Sequence, residues 1–172
     1  LSGDIVNHFQ VVGIIQQVEY KFMVYDFIVN RILKGIWYQF KWGVISLTDP
    51  IFYLFLSLGF FGLYVPEPDI ELSLGTLFLK ALFEEFFFRF LLQEGLDRLL
   101  RYRWKLGPLS LANLLASLTF AGMHLIHQPV NWALLTFFPS LAFGYIWQRS
   151  RSLVSVTILH FAYNAFLFYQ FM

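Results

Sequence analysis

Four stretches of this chain, Ile51–Val65, Leu109–Met123, Val130–Gln148 and Ser152–Met172, contain no Asp, Glu, Lys or Arg. A fold must remove that much apolar surface from water. Roughly 20 apolar residues are what a helix needs to cross a bilayer core of about 30 Å. The rest of the composition points the same way. Of 172 residues, 58% are hydrophobic, 21% aromatic and only 13% charged, where a soluble domain carries about 25% charge. A soluble core of this size would have to enclose 22 Phe, 9 Tyr and 5 Trp. The expected fold class is an all-α membrane protein: a polytopic helical bundle of about five transmembrane helices with an N-terminal amphipathic helix.

Residues 1–43 read as an amphipathic, interfacial segment, and 44–172 as the transmembrane core. In VVGIIQQVEYKFMVYDFIVNRILKG, apolar residues recur at near-helical spacing while Glu19, Lys21, Asp26 and Arg31 interrupt them. Trp37, Tyr38, Lys41 and Trp42 follow as headgroup-level anchors. The first span is expected to join Val44–Leu47 to Ile51–Val65, with Asp49-Pro50 as a kink or a capped helix start. Later spans are expected over Leu72–Leu100, Leu109–Met123, Val130–Gln148 (kinked at Pro139) and Ser152–Met172. The turns at Arg98–Lys105 and Arg149–Arg151 are basic, and placing both in the cytoplasm puts the C-terminus outside. The opening LSGDIVNHFQVV lacks the basic region and cleavage site of a signal peptide.

Some functions are excluded at once. A net charge of +1 with scattered basic residues gives no nucleic-acid footprint. With no Cys there are no disulfides, thiolate nucleophiles or thiolate metal ligands.

The stretch LFEEFFFRFLL, Leu82–Leu92, is the anomaly. Charges inside a membrane helix are expensive, and they face a bundle interior or a site. Glu85 and Arg89 are i and i+4 and can pair. Glu84 is then the carboxylate left over, the kind of group a general base requires. A structural ion pair would account for Glu85 and Arg89 alone. Two other helices add His124 in AGMHLIH, and His160 with Asn164 in LHFAYN. Two histidines and a glutamate could hold zinc, with Glu84, His124 and His160 as ligands, although HExxH is absent. Alternatively, a glutamate activates water while His160 and Asn164 donate to an oxyanion. Either scheme hydrolyses amides. A non-catalytic membrane scaffold, or a small ion or peptide carrier, is the competing reading.

The ordered set EEFFFR (Glu84–Arg89), FAGMH (Phe120–His124) and HFAYN (His160–Asn164) resembles the CAAX-protease and bacteriocin-processing (CPBP, or Abi) family of intramembrane proteases. That family includes the prenyl-protein endopeptidases. AFGYIWQRSRSL at Ala142–Leu153 is similar to its Phe-Gly segment, and the likeness covers about Leu74–Ala165. The resemblance implies an intramembrane endopeptidase of a bacterial or archaeal cytoplasmic membrane. Its substrate would be membrane-anchored, either prenylated or carrying a C-terminal sorting signal. It also implies roles. Glu84 activates water, Glu85 supports it and pairs with Arg89, His124 holds the same water, and His160 with Asn164 forms the oxyanion side. Phe120 is a packing residue, His127 has no counterpart in the motifs, and Lys80 either snorkels or alters the charge of the site. The family has been described both as zinc-dependent and as metal-independent glutamate proteases. Asn164 in place of a third strong ligand favours the scheme with no cofactor.

Overall fold

The computed structural model describes residues 29–30, 33–64, 72–100 and 104–169. The expected interfacial segment therefore lies largely outside the described residues, as do the acidic turn Glu67–Glu71 and part of the basic turn after Arg98. The chain divides into two compact units, Leu1–Tyr38 and Gln39–Met172. All that follows concerns the second, apart from the first turns of helix α1 (Leu33–Ser46).

Helix α2 (Pro50–Leu58) runs on as a 3₁₀ segment, Gly59–Tyr64. Asp49 caps α2 by accepting a hydrogen bond from the Ile51 amide at 3.0 Å, with Pro50 in the first helical turn. This corrects the expectation that Val44–Leu47 belong to the same element. Pro50 has no N–H to give and drives the residue before it out of the helical region, so Val44–Ser46 end α1 instead.

Helix α3 (Leu74–Glu85), capped by Ser73, passes into a π segment, Phe86–Gln93, and then into α4 (Glu94–Leu99). A two-stranded hairpin follows, β1 (Lys105–Leu106) and β2 (Leu109–Ser110), turning through Gly107 at φ 61°. The expected span from Leu109 therefore starts late, because Leu109 and Ser110 pair with the preceding strand. Ser110 caps α5 (Leu111–His124) through the Asn113 amide. Helices α6 (Val130–Ser150, with Pro139 inside) and α7 (Leu153–Phe168) complete the bundle.

Helix α6 has 21 residues, about 32 Å at helical rise, and alone matches a bilayer core. Among the described residues it is the one helix long and apolar enough to cross a membrane. A second span is added if α1 and the Pro50–Tyr64 segment count as one broken span. Five spans are thus not reproduced by length and composition: α5 has 14 residues and α7 has 16.

Phe52, Phe143, Ile146, Trp147, Val156 and Leu159 form the apolar core between α2, α6 and α7. Exposed Phe83, Phe87, Leu118, Leu134 and Phe138 stud the outer faces. Inside a membrane the apolar surroundings give helices little reason to associate, so close packing of small residues and buried hydrogen bonds must serve. Both occur here. Ser46 on α1 donates to Gly43 O and bonds Ser155 of α7, and Gly43 packs against Val154. Gly144 on α6 is tighter still, because a Cβ there would lie 1.9 Å from Asn113 Oδ1 and 2.7 Å from Gln93 Oε1. We expect Gly144→Ala to destabilise the fold by on the order of 3 kcal/mol, because Asn113 and Gln93 can move aside only by giving up their buried hydrogen bonds. Thermal unfolding in detergent measures this, and an unchanged midpoint would contradict it.

Candidate active site

The polar centre is built on α3, the π segment, α6 and α7. Glu85 and Arg89 are both 0% exposed and pair through Oε2 and Nε at 3.1 Å. The other oxygen of Glu85 lies 2.8 Å from His160 Nδ1 on α7. An ionised carboxylate only accepts, so Nδ1 carries the proton and donates it to Glu85. Nε2 faces the other way, 3.5 Å from Glu84 Oε2. One imidazole therefore joins the two adjacent glutamates, which their 100° separation on the helix allows only because His160 reaches between them. Aromatic rings fix its plane: Phe143 stacks on it at 4.7 Å and 20°, and Phe120 meets it edge-on at 5.9 Å.

Arg89 has two further partners. Nη1 donates to Gln93 Oε1 at 3.2 Å, and Nη2 donates to Ser140 Oγ on α6. Gln93 Nε2 in turn donates to Gly144 O at 3.0 Å. Removing two charges from water costs several kcal/mol per ion, and such pairs persist only when their remaining donors and acceptors are satisfied. Here they are.

The structure brings Glu84, Glu85, Arg89 and His160 together. His124 stands apart. Its Nδ1 is 2.9 Å from its own helix's Phe120 O, a carbonyl that can only accept, so Nδ1 donates and the neutral ring offers a lone pair at Nε2. No hydrogen bond or ion pair joins His124 to Glu84. Asn164, one turn beyond His160, has no hydrogen-bond partner among the described residues. His124, His160 and Asn164 share the wall of a cavity of about 640 Å³ between the Pro50–Tyr64 segment, α5, α6 and α7. Its other walls are mostly apolar, with no Asp, Glu, Lys or Arg among the described residues that line it. Glu84, with 28% of its side chain exposed, sits beyond His160 and does not line the cavity.

Among the described residues, no three His, Asp or Glu side chains gather where they could hold one metal ion. Glu84, His124 and His160 form no such group, and no hydrogen bond or ion pair joins His124 to the other two.

Phe143 and Gly144, the Phe-Gly pair of the Ala142–Leu153 segment, belong to the centre, and so do Gln93 and Ser140, to which the sequence alone assigns no role. Gln93 had one visible signal, lying four residues after Arg89 in an apolar helix, as Arg89 lies four after Glu85.

Glu84, His160 and Glu85 thus form a carboxylate–imidazole–carboxylate array within an apolar helical bundle. Residues 66–166, more than half of the chain, match the family model described as type II CAAX prenyl endopeptidase Rce1-like, and the chain belongs to that family. The match includes every residue of the centre. At family level it makes the protein a CAAX-type intramembrane endopeptidase. No curated protein and no solved structure matches the chain.

The two glutamates should respond very differently to removal. Glu85→Ala leaves Arg89 as an uncompensated buried charge and should cost about 3–5 kcal/mol. Glu84→Ala, at a partly exposed position without a tight partner, should cost no more than about 1 kcal/mol. Equal losses in detergent unfolding experiments would overturn this ordering.

Proposed function

We propose that the protein is a metal-independent glutamate endopeptidase acting within the membrane. Its substrate is a membrane-anchored protein cut near a prenylated or sorting-signal C-terminus. The observation that carries the reading is His160, held by Glu85 at Nδ1 and turned toward Glu84 at Nε2, on the edge of an apolar cavity.

Glu84 removes a proton from a water molecule, and the water oxygen bonds to the carbonyl carbon of the scissile peptide. The carbonyl π electrons move onto its oxygen. That oxyanion accepts hydrogen bonds from the side-chain amide of Asn164, which has no partner among the described residues, and from His160 when Nε2 carries a proton. Glu84 then returns its proton to the nitrogen as the C–N bond breaks. Peptide and water become acid and amine, and Glu84 is restored. Glu85 and Arg89 stay charged throughout and hold His160. His124 offers its Nε2 lone pair to a water or a backbone N–H in the cavity. The uncharged walls suit an apolar chain, in keeping with the family's prenylated substrates.

Cleavage of a farnesylated peptide ending in Cys-aliphatic-aliphatic-X tests the reading. Glu84→Gln should abolish turnover while leaving the unfolding midpoint near wild type. Asn164→Ala should lower kcat by about 10²–10³, the usual cost of one oxyanion donor. A strong chelator should change neither kcat nor KM. Wild-type rates in Glu84→Gln would refute the mechanism, and chelator-sensitive turnover restored by zinc would replace it with a metal one. No turnover in any form would favour the scaffold or carrier.

A further inference from the structure

Glu85, Arg89, Gln93 and Asp97 recur every fourth residue, and all four are buried. In a regular α-helix such residues drift about 40° per step, and the fourth would stand about 120° from the first. The π segment Phe86–Gln93 has a wider turn, which opposes the drift and keeps Glu85, Arg89 and Gln93 in one polar line. That line ends against α6 at two points one helical turn apart, Ser140 Oγ and Gly144 O.

We propose that Ser140 and Gln93 are positioning residues that act through Arg89 and Glu85 to hold His160 protonated at Nδ1, with Nε2 toward the reacting side. The inference rests on the role given to His160 above. A guanidinium is a rigid plane with donors on three nitrogens. Each nitrogen of Arg89 has a different partner: Nε has Glu85, Nη1 has Gln93 and Nη2 has Ser140. Three points fix a plane. With one removed, the ring of donors can tilt, and Nε is the atom that meets Glu85.

Gln93 itself cannot turn over. Reversing its amide would aim N–H donors at Arg89 and its oxygen at Gly144 O, losing both bonds. Gly144 admits the arrangement because no Cβ fits beside Asn113 and Gln93, and Asn113 is fixed in turn by Ser117 and Leu141 O. The orientation of His160 on α7 is thereby set from α6, across the bundle.

The test compares Ser140→Thr with Ser140→Val in the full chain in detergent. The two replacements have the same shape and differ in the hydroxyl, so any packing strain is common to both. Two readouts are taken: imidazole nitrogen NMR of histidine-labelled protein, and kcat and KM on the farnesylated peptide. Ser140→Thr should keep the wild-type His160 Nδ1–H resonance and activity. Ser140→Val should shift or broaden that resonance and lower kcat at least tenfold, with KM changed less than twofold. Gln93→Glu, which keeps an acceptor for Arg89, should lie closer to wild type than Gln93→Met. Should both Ser140 variants fail to fold, Ser140→Ala replaces Val and wild type replaces Thr. Indistinguishable Thr and Val variants in the NMR would overturn the proposal. Because that readout needs no turnover, it decides even if the wild-type chain leaves the peptide uncut, which would count against the proposed reaction alone.

Discussion

The Glu85–Arg89 ion pair is the interaction on which the rest of the centre depends. Two opposite charges, wholly buried in a bundle of Phe and Leu, are tolerable only with every donor and acceptor engaged. Meeting that demand takes Gln93, Ser140, Gly144 O and His160, drawn from the π segment, α6 and α7. Helix register and site geometry thus follow from one requirement. A slide of α6 by one residue would take Ser140 from Arg89 and the Gly144 carbonyl from Gln93. A membrane bundle has little hydrophobic force to hold register, so a costly charge pair with fixed partners can take that part.

Much of this was legible in the residues. Asp49-Pro50 announced a capped helix start, Val130–Gln148 a long apolar helix, and the i,i+4 spacing of Glu85 and Arg89 a pair. What escaped reading was whatever depended on a partner distant in sequence. Gln93 and Ser140 carry no charge, and only the guanidinium between them gives them meaning. The π segment escaped too, since nothing in FFFRFLLQ distinguishes it from ordinary helix until the buried polar line has to stay on one face. The hairpin was hidden by Leu109, an apolar residue that looks like the start of a helix and pairs instead with Leu106. His124 was grouped with Glu84 by the order of the motifs, whereas its ring is turned onto its own helix's carbonyl.

The two sides of His160 have opposite characters. Toward Glu85 lies a fully buried network of Glu85, Arg89 and Gln93. Toward Glu84 and the cavity lie the amide of Asn164, without a side-chain partner among the described residues, the imidazole of His124 and a carboxylate with exposed surface. The pairing of neighbouring glutamates makes sense in these terms. One helix turn supplies a fixed anion to the inner side and an accessible one to the outer, from adjacent positions in the chain.

The stacking of Phe143 on His160 carries a last consequence. With a phenyl ring flat against one face, the edge of Phe120 nearby and Nδ1 tied to a buried anion, the imidazole has no room to rotate about its bond to the backbone. A histidine free to turn can pick up a proton on one side and release it on the other. This one is a hinge rusted shut. With Nδ1 committed to Glu85, Nε2 is the one ring nitrogen left to face the reacting side, and it always faces it in the same direction.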